Sequence, residues 1–214
     1  LEADALSSAE IEMDSFLSSW FRPAKSSTKG IDLEFDWIPA GLKKWYEITS
    51  RWEIPVEGVK RLIPPSEILE EEGKFIFLMD QGGWAWSFDL TEPSFIFEAK
   101  DDEPWRRLDA DWDEMLLWHS FSEAVEYAPF VQWSSNASAE AVNETLSNFR
   151  KVSFTGSMWP SPGWSFYIAD GMVADAGPSK WTPDSFSITV GASSRESITS
   201  LNSLTGIEWL VRQK

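Results

Sequence analysis

Lys74-Phe75-Ile76-Phe77-Leu78-Met79-Asp80-Gln81-Gly82-Gly83-Trp84-Ala85-Trp86-Ser87-Phe88-Asp89-Leu90 is the stretch that decides the fold. Residues 74–79 form a short run dominated by apolar side chains, and Asp80-Gln81-Gly82-Gly83 carries the residue types of a tight turn. Beyond it, Trp84, Trp86 and Phe88 alternate with Ala85, Ser87 and Asp89, the period of two expected of a half-buried strand. Thr91-Glu92-Pro93 then turns the chain into Ser94-Phe95-Ile96-Phe97-Glu98. The pattern predicts three adjacent antiparallel strands over residues 74–98.

Towards the N-terminus, Ser7-Ser8-Ala9-Glu10 has the form of a capping box, and Met13, Phe16, Leu17, Trp20 and Phe21 follow at helical spacing until Pro23. Lys25 to Gly30 reads as a loop, and a second helix opens at Pro39 with Leu42, Trp45, Tyr46 and Thr49 on one face. Towards the C-terminus, Ser120-Phe121-Ser122-Glu123 predicts a helix start running to Phe130. Strands are predicted at Lys151 to Met158, Trp164 to Ala169, Met172 to Asp175, Ser185 to Val190 and Ile207 to Val211, with a helix near Ser194 to Leu204. Runs of strands followed by helices indicate an α+β fold. The expected division is an N-terminal helix and linker over residues 1–34, a core over 35–130, and strands with a helix over 131–214. That last part either completes the same sheet or forms an added subdomain. Gly83-Trp84-Ala85-Trp86-Ser87-Phe88 and Gly163-Trp164-Ser165-Phe166-Tyr167 echo one another.

With 214 residues the chain is long enough to bury a substantial core, and 43% hydrophobic against 25% charged residues places it among globular proteins. Zero cysteines exclude a disulfide framework, a thiolate nucleophile and cysteine-bound zinc or iron–sulfur centres. Thirty-five acids against 18 lysines and arginines give a net charge of -17. This argues against nucleic acid, whose backbone is bound by cations, and against anionic membrane surfaces. It favours a basic protein partner, whose encounter such a field speeds by about 10- to 1000-fold. No apolar run approaches the length of a membrane span, and Leu1-Glu2-Ala3-Asp4 lacks the features of a signal peptide, so the expected location is cytoplasmic.

The chemistry-bearing residues are few. His119 is the lone histidine, which excludes a paired-histidine metal site or a histidine relay, and its setting beside Trp118 reads as structural. Neither a phosphate-binding loop nor a nucleophile elbow is present. No catalytic residue, cofactor or metal is therefore expected. Of the 14 tryptophans, Trp20, Trp45, Trp84 and Trp86 fall on apolar faces and read as core, whereas Trp105, Trp112, Trp159 and Trp181 stand in polar or proline-containing surroundings.

The most informative surface candidate is Asp101-Asp102-Glu103-Pro104-Trp105-Arg106-Arg107-Leu108-Asp109-Ala110-Asp111-Trp112-Asp113-Glu114. Seven acids against two arginines give it a local charge of -5. Aromatic anchors inside a charged rim suit a protein interface. The expected partner-binding residues are Asp101, Asp102, Glu103, Trp105, Asp109, Asp111, Trp112, Asp113 and Glu114, with Trp105 or Trp112 as anchor. The bland alternative is a solvated loop with two structural tryptophans.

The run from Ile63-Pro64-Pro65 through Glu70-Glu71-Glu72-Gly73 to Asp80-Gln81-Gly82-Gly83, then Trp84 to Asp89, Trp105 and Ser120-Phe121-Ser122-Glu123, resembles the SUKH superfamily. Ile38-Pro39-Ala40-Gly41-Leu42-Lys43-Lys44-Trp45-Tyr46 is similar to that family's opening helix, and the likeness covers about residues 35–127. Two departures stand out: Ser50-Arg51-Trp52-Glu53 replaces the glycine usual after the opening helix, and the chain beyond Phe130 is longer than the basic domain needs. The family includes bacterial immunity proteins and a fungal regulator of cell-wall synthesis. The resemblance implies a non-enzymatic α+β domain that neutralises a toxin, often a basic nuclease, by direct binding, and it supplies no active-site residues. Two other readings stay open: a carbohydrate-binding module or glycosidase built from tryptophans and carboxylates, and a regulatory scaffold.

Overall fold

The computed structural model describes residues 5–20, 35–50, 58, 60–154, 163–204 and 206–213. In chain order the elements are β1 (Leu6–Ser7), α1 (Met13–Trp20), α2 (Ala40–Thr49), β2 (Lys60–Leu62), β3 (Leu69–Glu71), β4 (Lys74–Asp80), β5 (Trp84–Phe88), β6 (Ile96–Lys100), β7 (Arg106–Arg107), α3 (Trp112–Tyr127), β8 (Phe130–Ala137), α4 (Ala139–Thr145), β9 (Arg150–Ser153), β10 (Ser165–Ala169), β11 (Met172–Pro178), β12 (Phe186–Ala192), α5 (Arg195–Thr199) and β13 (Leu210–Gln213). Helices and mixed or antiparallel sheets make an α+β protein, as the sequence predicts.

The chain divides into two units. One holds residues 21–119 and 155–157; the other holds residues 1–20, 120–154 and 158–214. The division falls inside α3, between His119 and Ser120, and not at residue 130 as expected. Residues 131–214 do not complete the first sheet; they build a second one, and the N-terminal residues join it through β1.

In the first unit the sheet order is β2-β4-β5-β6-β7, with β3 also on β4, and every pairing is antiparallel. The meander over residues 74–98 is present as read. Its inner face buries Trp86, Phe88, Leu78 and Ile96, and Trp86 and Phe88 lie two residues apart because side chains alternate along a strand. Trp45 on α2 and Trp112, Met115 and Trp118 on α3 complete this core. The two helices approach closely because α2 carries Gly41: a Cβ there would overlap that of Trp112 and come within 2.9 Å of its Cγ.

The second unit has the order β1-β9-β10-β11-β12-β8-β13, antiparallel except for the parallel pair β1–β9. One face is covered by α4, α5 and the residues just after each, through Val142, Leu146, Ile198 and Leu201 against Ala174, Ala176, Ile188 and Val190. On the other face Phe166 packs on Phe121 of α3, 5.9 Å between ring centroids, and Phe121 stacks on Phe16 of α1 at 4.2 Å. Gly191 lets β12 approach α3: a Cβ there would stand 2.8 Å from Ala128 Cβ and 3.0 Å from the carbonyl oxygens of Ala124 and Val125.

Each unit contains an equivalent piece: a helix, a strand, and a three-strand antiparallel meander that this strand flanks. In the first it is α2-β2-β4-β5-β6, in the second α4-β9-β10-β11-β12. The second and third meander strands are joined by seven-residue loops, 89–95 and 179–185, in which Asp89 and Ser179 each accept backbone N–H bonds two residues on. The echo of Gly83-Trp84 with Gly163-Trp164 is out of step with this correspondence, since it aligns β5 with β10 where the topology aligns β5 with β11.

Several local expectations are corrected. The helix predicted to start at Ser120 starts at Trp112, and Ser120 is buried within it. Its start is capped by Asp111, whose Oδ1 accepts the Glu114 N–H at 2.8 Å, so Asp111-x-x-Glu114 and not Ser120-x-x-Glu123 marks the boundary. The Ser7–Glu10 box forms, with Glu10 Oε2 accepting the Ser7 N–H at 2.8 Å, but it caps a 3-10 turn, and α1 begins only at Met13. Strand β8 and the helix α4 beside it carry no matching signal in the sequence. The loop at residues 25–30, Pro23, Trp159 and the end of the Lys151 to Met158 strand lie outside the described residues.

Candidate partner-binding surface

The segment 101–114 leaves β6, passes through β7 and enters α3. Asp101 takes a left-handed backbone conformation, φ 48°, and donates its N–H to the Gly83 carbonyl at 2.7 Å. The β4–β5 turn is thereby tied to the start of the segment. Gly83, at φ 84°, is required twice over, because a Cβ would also collide with the Asp101 carboxylate. In the same turn Asp80 Oδ1 accepts the N–H groups of Gly82 and Trp84, both at 2.8 Å.

Several of the described cations of this unit have partners within it. Arg106 pairs with Glu98, whose side chain is 1% exposed and also accepts from Trp86 Nε1 at 3.3 Å. The Arg107 guanidinium lies 3.2 Å from the centroid of the Phe95 ring. Lys74 Nζ meets Asp89 Oδ2 at 2.9 Å and sits over Phe97, and that contact, with hydrogen bonds from Thr91, lowers the Asp89 pKa to about 2. Lys60 is buried, its ammonium 5.2 Å from the centre of Trp118. The two arginines that partly offset the charge of the segment are themselves exposed, Arg106 paired with the buried Glu98 and Arg107 lying over Phe95. Asp101, Asp102, Glu103, Asp109, Asp111 and Asp113 remain exposed.

Two candidates are not surface groups. Trp112, read as an interface anchor, is only 8% exposed: its ring packs on Phe77 and Phe88, and Nε1 donates to the Pro93 carbonyl at 2.9 Å. An indole at the first turn of a helix, facing a sheet, is drawn into the core by its own area. Glu114, one turn in, is buried as well. Asp111 is exposed but is also the helix cap, and Asp113 stands 3.9 Å from Lys44 at an exposed ion pair. Trp105 is half-buried, which makes it the tryptophan of this segment with ring area left for a partner.

Among the other tryptophans flagged by their polar surroundings, Trp181 is 82% exposed on the loop between β11 and β12. His119 is fully buried beside Trp45, and neither ring nitrogen has a hydrogen-bond partner among the described residues. Desolvation, with Lys60 nearby, holds its pKa well below the ordinary value, so it is neutral at pH 7. Among the described residues no group of three or more His, Asp or Glu side chains is gathered to hold a metal, and no helix is long and apolar enough to cross a membrane. Comparison with family models, with curated proteins and with solved structures finds no match.

Proposed function

We propose that this chain is a non-enzymatic binding protein that neutralises a basic protein, of the kind of a bacterial nuclease toxin, by covering its cationic surface. The observation that carries the reading is the exposure of six acids, Asp101, Asp102, Glu103, Asp109, Asp111 and Asp113, in the segment that holds half-buried Trp105, while Arg106 is paired with the buried Glu98. A rim of this kind accelerates encounter, and a half-buried tryptophan supplies area that a partner can finish desolvating. The likeness of residues 35–127 to the SUKH superfamily, with its immunity proteins, supports the same reading.

The test is capture of partners from the source organism's lysate and secretome on immobilised protein, followed by binding kinetics with the purified partner. The reading expects a basic protein whose toxicity is abolished by stoichiometric binding. Recovery only of acidic or neutral partners, or binding indifferent to salt, contradicts it. A second reading, carbohydrate binding, draws on the exposed ring of Trp181. It expects sugar affinity that salt leaves unchanged and Trp181→Ala removes.

A further inference from the structure

In the second unit β13 closes one side of the seven-stranded sheet, where it pairs with β8 and with no other described strand. The opposite edge, β1, is only two residues long, a length that offers little to a further strand. Of the large apolar side chains exposed among the described residues, three gather at β13: Leu210 at 47%, Trp133 in register with it at 41%, and Val211 at 56%. An edge strand with open backbone groups and apolar side chains is a template for another strand.

Charge is the usual guard of such an edge, and here the guard is drawn back into its own unit. The Arg212 guanidinium donates to the Glu126 carbonyl, stands 3.5 Å from the Glu126 carboxylate and lies 5.9 Å from the centre of the Tyr127 ring. In a chain of net charge -17, β13 itself (Leu-Val-Arg-Gln) carries no acid, and Glu208 stands two residues before it. Glu208, Leu210 and Arg212 alternate at the strand period of two, with an acid and a base placed symmetrically about a leucine.

We propose that β13 pairs antiparallel with β13 of a second copy of this chain, about a two-fold axis that stands perpendicular to the sheet at Leu210. Such an axis keeps each sheet face on its own side, so it must lie between a residue and the same residue of the copy. Centred on Leu210, it sets Glu208 against Arg212 twice, Trp209 against Val211 twice, and Leu210 against itself. The exposed row of Trp133 and Leu210 then continues into Leu210 and Trp133 of the second copy. Moving the axis by one residue sets Leu210 against Glu208 or against Arg212, so ion pairing and apolar contact select the same register. Residues 208–212 of each copy fall short of the about 20–30 residues a side of a standard interface, so the dimer is weak, with a dissociation constant of about 10–500 µM. The inference is independent of the acidic segment and survives the failure of that reading.

The experiment uses the full chain, which has no cysteine of its own. Leu210→Cys places a thiol opposite its own copy, where directly opposed antiparallel residues have Cα atoms about 4.5–5.5 Å apart, a distance that a disulfide spans. Mild oxidation at about 100 µM protein is expected to give covalent dimer about tenfold faster than for Leu90→Cys, a control in the first unit whose side chain is 44% exposed. Sedimentation equilibrium of the parent chain at about 0.15 M salt is expected to show a monomer–dimer equilibrium, since a screening length of about 8 Å spares pairs in contact and damps the repulsion between two acidic chains. Glu208→Lys and Arg212→Glu each set like charges against one another twice, and each is expected to weaken the dimer about tenfold. An equimolar mixture of the two variants restores both ion pairs and is expected to restore the dimer. Should Arg212→Glu, which also gives up Glu126, fail to fold, Leu210→Lys opposes two ammonium groups at the axis and is expected to be monomeric at every concentration. A parent chain that stays monomeric up to about 1 mM overturns the proposal. So does cross-linking of Leu210→Cys no faster than of Leu90→Cys, a mixture of folded variants no more associated than either alone, or a dimer that persists unchanged in Leu210→Lys.

Discussion

Replacing Trp112 separates a structural tryptophan from an interface anchor. Its indole is 92% sheltered, lies against Phe77, Phe88 and Gly41, and donates one hydrogen bond to Pro93. Truncation of a buried aromatic to alanine costs about 3–5 kcal/mol from lost transfer energy and the cavity left behind. Loss of the indole donor leaves the Pro93 carbonyl short of a partner, a further cost of about 1 kcal/mol. Against a total stability of about 5–15 kcal/mol, Trp112→Ala therefore consumes a large share of what holds the fold. Trp112→Phe keeps most of the ring packing and loses the hydrogen bond, for an expected cost of about 1–2 kcal/mol. Urea unfolding followed by far-ultraviolet circular dichroism reads both values without interference from the other tryptophans. The folded Trp112→Phe protein should hold its partner as tightly as the parent chain. A Trp112→Ala protein less than about 1 kcal/mol weaker in stability, or a stable Trp112→Phe protein that has lost its partner, refutes the reasoning.

Three further expectations follow from the packing. Gly191→Ala places a methyl group against Ala128 and two backbone carbonyls of α3, and is expected to cost about 1–3 kcal/mol, read as a lower urea midpoint at unchanged slope. Asp111→Ala removes the cap of α3 and should cost about 1 kcal/mol at pH 7, whereas Asp111→Asn, which keeps an acceptor, should cost a few tenths. His119, neutral when buried, has a folded-state pKa below its unfolded value of about 6.5. Its contribution is present above that pH and is lost as the unfolded chain takes up the proton, by up to about 1.4 kcal/mol per pH unit down to the folded-state pKa. His119→Leu should remove that portion of the acid-side loss of stability, measured by urea unfolding across the same pH window.

The meander was legible because Trp84, Trp86 and Phe88 alternate strictly and two turns of ordinary chemistry bound them. The start of α3 was not, because two capping signals, Asp111-x-x-Glu114 and Ser120-x-x-Glu123, lie nine residues apart on one helix. Tertiary burial decides between them: Ser120 and Glu123 are inside the protein. β8 escaped notice because Phe130-Val131-Gln132-Trp133-Ser134-Ser135 mixes polar and apolar side chains on both faces of a central strand. At the acidic segment the crowding of charge was visible in the sequence. What was not visible was the fate of its cations, since pairing Arg106 with Glu98 and Arg107 with Phe95 requires the register of β6 with β7. The burial of Trp112 likewise depends on α2 presenting Gly41 to it.

The most direct test of the binding account is the association rate of the captured basic partner, measured as a function of ionic strength for the parent chain and for the triple variant Asp101→Asn, Asp102→Asn, Glu103→Gln. These three side chains are exposed, so the variant is expected to fold with unchanged stability. The account predicts an association rate lower by about tenfold at low salt, a flatter dependence on salt, and a dissociation rate changed by less than about twofold. Identical association rates and identical salt dependence for the two proteins would contradict it, and would place the partner on another surface.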